Sequence, residues 1–157
     1  LAVATLNKKK ISKKDFKKFH PSGSLGAKLK TVEDLMITKN KIPFINESAS
    51  MKNALKVITQ KKLGILISKN QKGNTTGIIT DGQIRRISQK NRDLHSLKVK
   101  NVMTKNPIKV DKEILAIKAL SIMNSKKITS LCVYSKNNKS KTIGIIHIHN
   151  ILENTTN

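Results

Sequence analysis

Apolar residues recur along this chain with two periods, and the switches between them mark out its elements. Met51, Ala54, Leu55 and Ile58 stand at i, i+3, i+4 and i+7 behind Ser50. That spacing predicts a helix with one buried stripe, capped by the Ser50 hydroxyl. Leu63 to Ile67 is a short apolar run and predicts a buried strand. The polar residues Lys69 to Asn74 predict a turn, and Gly77 to Thr80 a second strand. Asp81 then opens a helix carrying Ile84 and Ile87. Ahead of all these, Ile42-Pro43-Phe44-Ile45 predicts a short extended piece.

The same order then recurs. Ile108-Lys109-Val110 is extended, Ala116, Leu120 and Met123 share a helix face, and Thr129 to Tyr134 is a strand. Ser135 to Lys141 is a turn, Thr142 to Ile146 a strand, and His147 to Leu152 a closing helix. Gly77-Ile78-Ile79-Thr80-Asp81-Gly82-Gln83-Ile84 returns 67 residues later as Gly144-Ile145-Ile146-His147-Ile148-His149-Asn150-Ile151. Asp34-Leu35-Met36 returns at that offset as Asn101-Val102-Met103. Ala54-Leu55 matches Ala119-Leu120, and Lys61-Lys62-Leu63 matches Lys126-Lys127-Ile128. An internal repeat fixes the fold unit before any local assignment. The units are residues 31–91 and 97–154, joined by a linker over Arg92 to Ser96. At about 60 residues each is marginal alone, so the two are expected to share a core. The expected fold is α+β, with two β-α-β-β-α repeats about a pseudo-twofold axis and the function in the cleft between them.

Residues 1–30 form a separate section. Leu1-Ala2-Val3-Ala4-Thr5-Leu6 reads as the tail of a helix already under way, so the chain is expected to be part of a longer protein. Ser12-Lys13-Lys14-Asp15 is a capping box in outline, opening a short helix to about Phe19. Pro21, Gly23 and Gly26 break it, and Ser24 caps a further helix toward Leu29. The lysines at 8–10, 13, 14, 17 and 18 read as a solvated helix face.

The formal net charge is +23, which points first to nucleic acid or an anionic membrane. The composition argues otherwise. Among the 32 basic residues only Arg85, Arg86 and Arg92 are arginine. Nucleic-acid readers favour arginine for its planar fork, and single-strand binders add stacking aromatics, which here make up 3%. Lys, Asn and Ile are all heavily used and share AT-rich codons, so base composition accounts for the charge. Nucleic acid is not an expected partner. Lone Cys132 excludes an internal disulfide and, within Ser130-Leu131-Cys132-Val133-Tyr134, reads as a small core residue. That suits a reducing cytoplasm. No apolar run approaches membrane-spanning length, and no signal peptide is visible.

Candidate chemistry gathers where the last strand of each repeat becomes a helix. A helix start leaves backbone N–H groups free to hold an anion. Thr80 offers a hydroxyl there, and Arg85 and Arg86 stand one turn in, where they suit phosphate. The bland alternative is that Thr80 only caps the helix. His147 and His149 would share a face if extended, but two ligands are too few for a closed metal site, and no metal is expected. The candidate ligand-binding residues are Thr80, Asp81, Gln83, Arg85, Arg86, Thr129, Ser130, His147, His149 and Asn150.

The Gly-apolar-apolar-Thr-x-x-Asp pattern, read here as Gly77-Ile78-Ile79-Thr80-Asp81-Gly82-Gln83 and found twice, resembles a tandem pair of cystathionine-β-synthase (CBS) domains, a Bateman module. In such modules the Asp after the Thr takes both ribose hydroxyls. Here Gln83 and Asn150 occupy that position, and an amide is not a paired acceptor. Asp15-Phe16-Lys17-Lys18-Phe19-His20-Pro21-Ser22-Gly23-Ser24-Leu25-Gly26 is similar to the junction of the D-arabinose 5-phosphate isomerase family, which joins a sugar-isomerase (SIS) domain to a CBS pair. That resemblance implies that residues 1–30 are the SIS tail and linker. It matches His20 to the family's active-site histidine, catalytic only in the full-length enzyme; without it His20 reads as a surface residue before a proline. It implies a regulatory or oligomerisation module with the SIS domain of the same chain and further copies as partners, in a homodimer or homotetramer. The effector would be a nucleotide or CMP-Kdo, the activated form of 3-deoxy-D-manno-octulosonate (Kdo), with no required cofactor. A ligand-free scaffold is the alternative.

Overall fold

The computed structural model describes residue 26 and residues 29–90 and 93–155. His20, Arg92, Ser24, the Ser12–Asp15 capping box and the lysine-rich stretch lie outside the described residues. In chain order the first half holds α1 (Val32–Leu35), β1 (Ile37–Thr38), β2 (Phe44–Asn46), α2 (Met51–Lys61), β3 (Ile65–Lys69), β4 (Thr75–Thr80) and α3 (Asp81–Lys90). The second holds α4 (Val99–Val102), β5 (Thr104–Lys105), β6 (Lys109–Asp111), α5 (Ala116–Lys126), β7 (Ser130–Tyr134), β8 (Gly144–His147) and α6 (Ile148–Thr155).

The helices form for the reasons the spacing gave. Ser50 Oγ accepts the Asn53 N–H at 3.3 Å, and Met51, Ala54 and Ile58 are buried. Helix α2 stops at Lys62, which is left-handed at φ 58°, and α5 stops the same way at Lys127, φ 55°. A left-handed residue ends the i to i−4 ladder. Gly64 (φ 69°) then completes the turn, so β3 starts at Ile65 rather than Leu63, and β7 starts at Ser130 rather than Thr129. Strand β4 reaches back to Thr75, further than Gly77, because Lys69 pairs with Thr75 beyond a register shift that leaves Thr76 as the extra residue opposite Ser68 and Lys69. Strand β8 starts at Gly144, later than Thr142, and runs one residue past Ile146 to take in His147, so the closing helix begins at Ile148 rather than His147 and reaches Thr155 rather than Leu152. The linker also differs: Leu94–Ser96 is a 3-10 turn with Leu94 buried.

Each repeat carries a segment that periodicity could not show. Helices α1 and α4 have four residues and strands β1 and β5 two. These segments cross over. The sheets are β2-β3-β4-β5 and β1-β8-β7-β6, so each repeat completes the other's sheet. Backbone bonds tie the exchange: Val32 and Glu33 donate to Ile114 and Lys112, and Val99 and Lys100 to Ala49 and Glu47, all at 2.9 Å. The glycines of the repeated motif make room for it. A Cβ on Gly77 would lie 2.7 Å from Met103 Sδ, and one on Gly144 2.5 Å from Met36 Sδ.

The halves meet about a pseudo-twofold axis. Thr75 Oγ1 and Thr142 Oγ1, 67 residues apart, are 2.6 Å from each other. One core cluster lies under α2, one under α5, and a third joins the sheets through Ile42, Ile65, Ile67, Cys132 and Ile145. Cys132 is the small core residue the sequence implied, its thiol pushed up to about 11 chiefly by burial. Among the described residues no helix is long and apolar enough to cross a membrane.

Candidate functional site

Strands β3 and β7 start, and β4 and β8 end, at the same end of the molecule, and a cleft of about 610 Å³ opens there. Its first-repeat wall includes Gly64, Thr80, Asp81, Gly82 and Arg86. Its second-repeat wall includes Lys127, Thr129, Ser130 and His147. Thr104 and the Asn106–Ile108 segment close a side, and Ile65, Ile78 and Cys132 give it an apolar base. The volume suits one small molecule.

Thr80 is the last residue of β4, and its Oγ1 accepts the Gln83 N–H at 3.3 Å, so it caps α3 as well as lining the cleft. The Asp81 N–H donates to Gly64 O at 3.0 Å, which ties the start of α3 to the start of β3. Space beside Gly64 is tight: a Cβ there would sit 3.1 Å from Asp81 Oδ2. The Arg86 side chain reaches back toward Gly82, where an added Cβ would stand 3.5 Å from its Nη1. Arg85, on the same helix, is exposed and does not line the cleft.

Gln83 is engaged elsewhere. Its Nε2 donates to Val102 O at 2.6 Å and its Oε1 accepts the Thr104 hydroxyl at 3.3 Å. The amide at the position expected to meet ribose thus holds the exchanged segment of the other repeat, outside the cleft lining. Asn150, its counterpart, is equally occupied: its Oδ1 accepts the His147 N–H at 3.0 Å, and it too lies off the lining.

His147 ends β8 and lines the cleft. Its Nδ1 accepts the His149 N–H at 3.2 Å, which leaves Nε2 to carry the ring proton in the neutral form. The His147 and His149 rings stack with centroids 4.9 Å apart, although His149 already belongs to α6 and does not line the cleft. Burial first, and the neighbouring His149 second, hold the His147 pKa below the usual histidine range. Among the described residues no group of three or more His, Cys, Asp or Glu is placed to hold a metal.

The structure therefore brings Thr80, Asp81, Arg86, Thr129, Ser130 and His147 to one cleft, and sets Gln83, Arg85, His149 and Asn150 beside it. Sequence reasoning missed Thr104, Asn106 and Lys127 on the lining. The Asn106-Pro107 dipeptide was a visible turn signal, and Asn106 does take φ 52°. Lys127 entered the sequence reading only through the match of Lys126-Lys127-Ile128 to Lys61-Lys62-Leu63. At the rim Arg86 and Lys127 face one carboxylate, Asp81, and neither belongs to the ion pairs Lys112–Glu33 and Lys136–Glu113 found among the described residues. Such a rim attracts anions.

Comparison with known proteins agrees with this architecture. The arabinose 5-phosphate isomerase KdsD of Yersinia pestis is 38% identical over 153 residues, which are 97% of this chain and 46% of that protein. The Escherichia coli K12 enzyme of the same name is 37% identical over the same length. The chain spans about half the length of these curated relatives. Among solved structures, CBSX2 in complex with AMP superposes with a TM-score of 0.69 at 22% identity, covering 78% of this chain and 93% of that one. The CBS domain family model matches residues 32–90 and 99–156, and the chain belongs to the CBS domain family, as a tandem pair.

Proposed function

We propose that this chain is the regulatory CBS pair of a D-arabinose 5-phosphate isomerase and that its cleft senses a phosphate-bearing metabolite, a nucleotide or CMP-Kdo. The observation that carries the reading is one cleft shared by both repeats, with Arg86 and Lys127 against Asp81 and the hydroxyls of Thr80, Thr104, Thr129 and Ser130 inside. The isomerase assignment rests on 38% identity across 97% of the chain. In the full-length protein a preceding SIS domain would interconvert ribulose 5-phosphate and arabinose 5-phosphate, the sugar that feeds Kdo and lipopolysaccharide synthesis. That reaction moves a proton between adjacent carbons, work suited to a histidine titrating near neutrality, and His20 is the residue proposed for it. The protein would be cytoplasmic and assembled as a homodimer or homotetramer through its CBS pairs.

Regulation follows by linkage. A ligand that binds one arrangement of the repeats better shifts the SIS domains joined to them, by no more than its differential affinity. CMP-Kdo is the sharper candidate, because neither Gln83 nor Asn150 is free to read an adenosine ribose. The same observation favours a second reading, a scaffold that binds no ligand and only holds the oligomer together. Calorimetric titration of the chain with CMP-Kdo, CMP, AMP and ATP at physiological salt separates the two. Saturable binding lost in Thr80→Ala or His147→Ala identifies a sensor. Silence from all four, with assembly intact by sedimentation, leaves the scaffold.

A further inference from the structure

The two halves of the cleft descend from one repeated pattern but are no longer equivalent. At the offset that relates β4 to β8, Thr80 corresponds to His147 and Arg86 to Glu153. Across β3 and β7, Gly64 corresponds to Thr129, as their matching bonds to Asp81 and Ile148 show. The exchanges at Thr80 and Arg86 weaken the second half as a place for phosphate and outweigh the loss of the Asp81 carboxylate, which Ile148 replaces there. The guanidinium that can grip two oxygens is replaced by a carboxylate that repels them. A hydroxyl at the strand end becomes an imidazole held neutral by burial and by the bond to its Nδ1. Gly64, beside which an added Cβ would stand 3.1 Å from Asp81 Oδ2, has Thr129 as its counterpart in the second repeat. The enclosing segment is one-sided too: Thr104 and Asn106 line the cleft, while their counterparts Ile37 and Lys39 do not.

We infer that the cleft takes one phosphate-bearing ligand per chain rather than two, with its phosphate at the first repeat between Arg86, Thr80 and Asn106. The second repeat supplies uncharged contacts to the rest of the ligand, from Thr129, Ser130 and the Nε2–H of neutral His147. Lys127 adds attraction for the same anion as a point charge, without a fork to build a second anchor. The inference rests on the sensing reading and gives it a stoichiometry and a polarity.

The test is calorimetry on the chain with AMP and CMP, each set against its nucleoside. A stoichiometry of one is expected, with each nucleoside at least tenfold weaker than its nucleotide. Arg86→Ala, an exposed change that leaves the core alone, should weaken nucleotide binding roughly tenfold or more. Glu153→Ala, at the corresponding place in the second repeat, should not weaken it. Two sites per chain, or nucleotide binding indifferent to Arg86→Ala, would overturn the inference and leave the sensing reading standing. Absence of binding by AMP and CMP, and by ATP and CMP-Kdo titrated in the same way, would overturn both.

Discussion

Across the pseudo-twofold axis Thr75 meets Thr142, and Gly77 and Gly144 each lie against a methionine of the other repeat. At the cleft, Thr80 and Arg86 of one repeat answer to His147 and Glu153 of the other. The difference teaches where duplication is constrained. At the axis a change in either copy alters a contact made by both, so the copies stay matched. The cleft asks only that a ligand be held, and one half can hold it. Between these limits the rest of the fold tolerates exchange when it is reciprocal. Lys69 lies 4.6 Å from the Phe44 ring centre, and Lys109 lies 5.5 Å from that of Tyr134, so cation and ring have traded places between equivalent positions. Helix α2 has Met51 where α5 has Ala116, and Ile58 where α5 has Met123.

The largest effect should come from breaking that reciprocity in the core. Met51 is fully buried, and Met51→Ala makes the first core copy the small residue of the second without its compensating methionine. A loss of about 2–5 kcal/mol in denaturant unfolding is expected. Adding Ile58→Met, which completes the exchange, should recover part of it; no recovery would mean that the two cores are packed on different principles. Gly144→Ala ranks next. Its Cβ would press on Met36 Sδ at 2.5 Å and on Ile37 O at 3.0 Å, at a cost of about 1–3 kcal/mol by equilibrium unfolding. Gly77→Ala should cost nearly the same, since its clashes are the same in kind.

Much of this was legible in the chain. The Met51–Ile58 stripe, the Ser50 cap and the recurring Gly-Ile-Ile motif carry strong local signals, and the elements formed where those signals placed them. What stayed hidden is the strand exchange. Two-residue strands such as Ile37–Thr38 have no alternation to read, and their partners are set by tertiary contacts far away in sequence. The reason for Gly77 and Gly144 was hidden with it, because the methionines that exclude a side chain arrive from the opposite repeat. The cleft was half legible. Thr80 and Arg86 stood out by type and place, whereas Lys127 joined the site only through a turn geometry, φ 55°, that lysine rarely adopts.

Gln83 and Asn150 give a smaller but sharper contrast. They occupy one motif position, yet Gln83 bridges to Val102 and Thr104 while Asn150 caps its own helix. Gln83→Ala should cost about 1–2 kcal/mol, because it leaves a backbone carbonyl and a hydroxyl without their partner. It should also speed hydrogen exchange in β5, whose N–H groups depend on that segment staying docked. Asn150→Ala should cost about 1 kcal/mol as a lost cap, and leave β1, the equivalent strand, unaffected. Equal exchange effects at β1 and β5 would show that the clamp is not confined to the first repeat.

His147 carries the smallest expected effect, and its sign follows from its surroundings. Burial and the nearby His149 hold its pKa below the unfolded value near 6.5, so the unfolded chain binds the proton more readily than the folded one. Stability from this group is therefore fully present above pH 6.5 and is lost as pH falls through the lower folded value. Protonation also places a hydrogen on Nδ1, where the His149 N–H now donates, so the proton and the stacked pair compete for one lone pair. His147→Gln should flatten the part of the stability profile that lies just below pH 6.5 and leave the rest unchanged. Nothing at Thr80, the matching position, titrates in that range. The first repeat should accordingly hold its exchange protection through the window in which the His147 end of β8 loosens. Equal loosening of both strand ends on acidification would show that the asymmetry of the cleft does not extend to its proton chemistry.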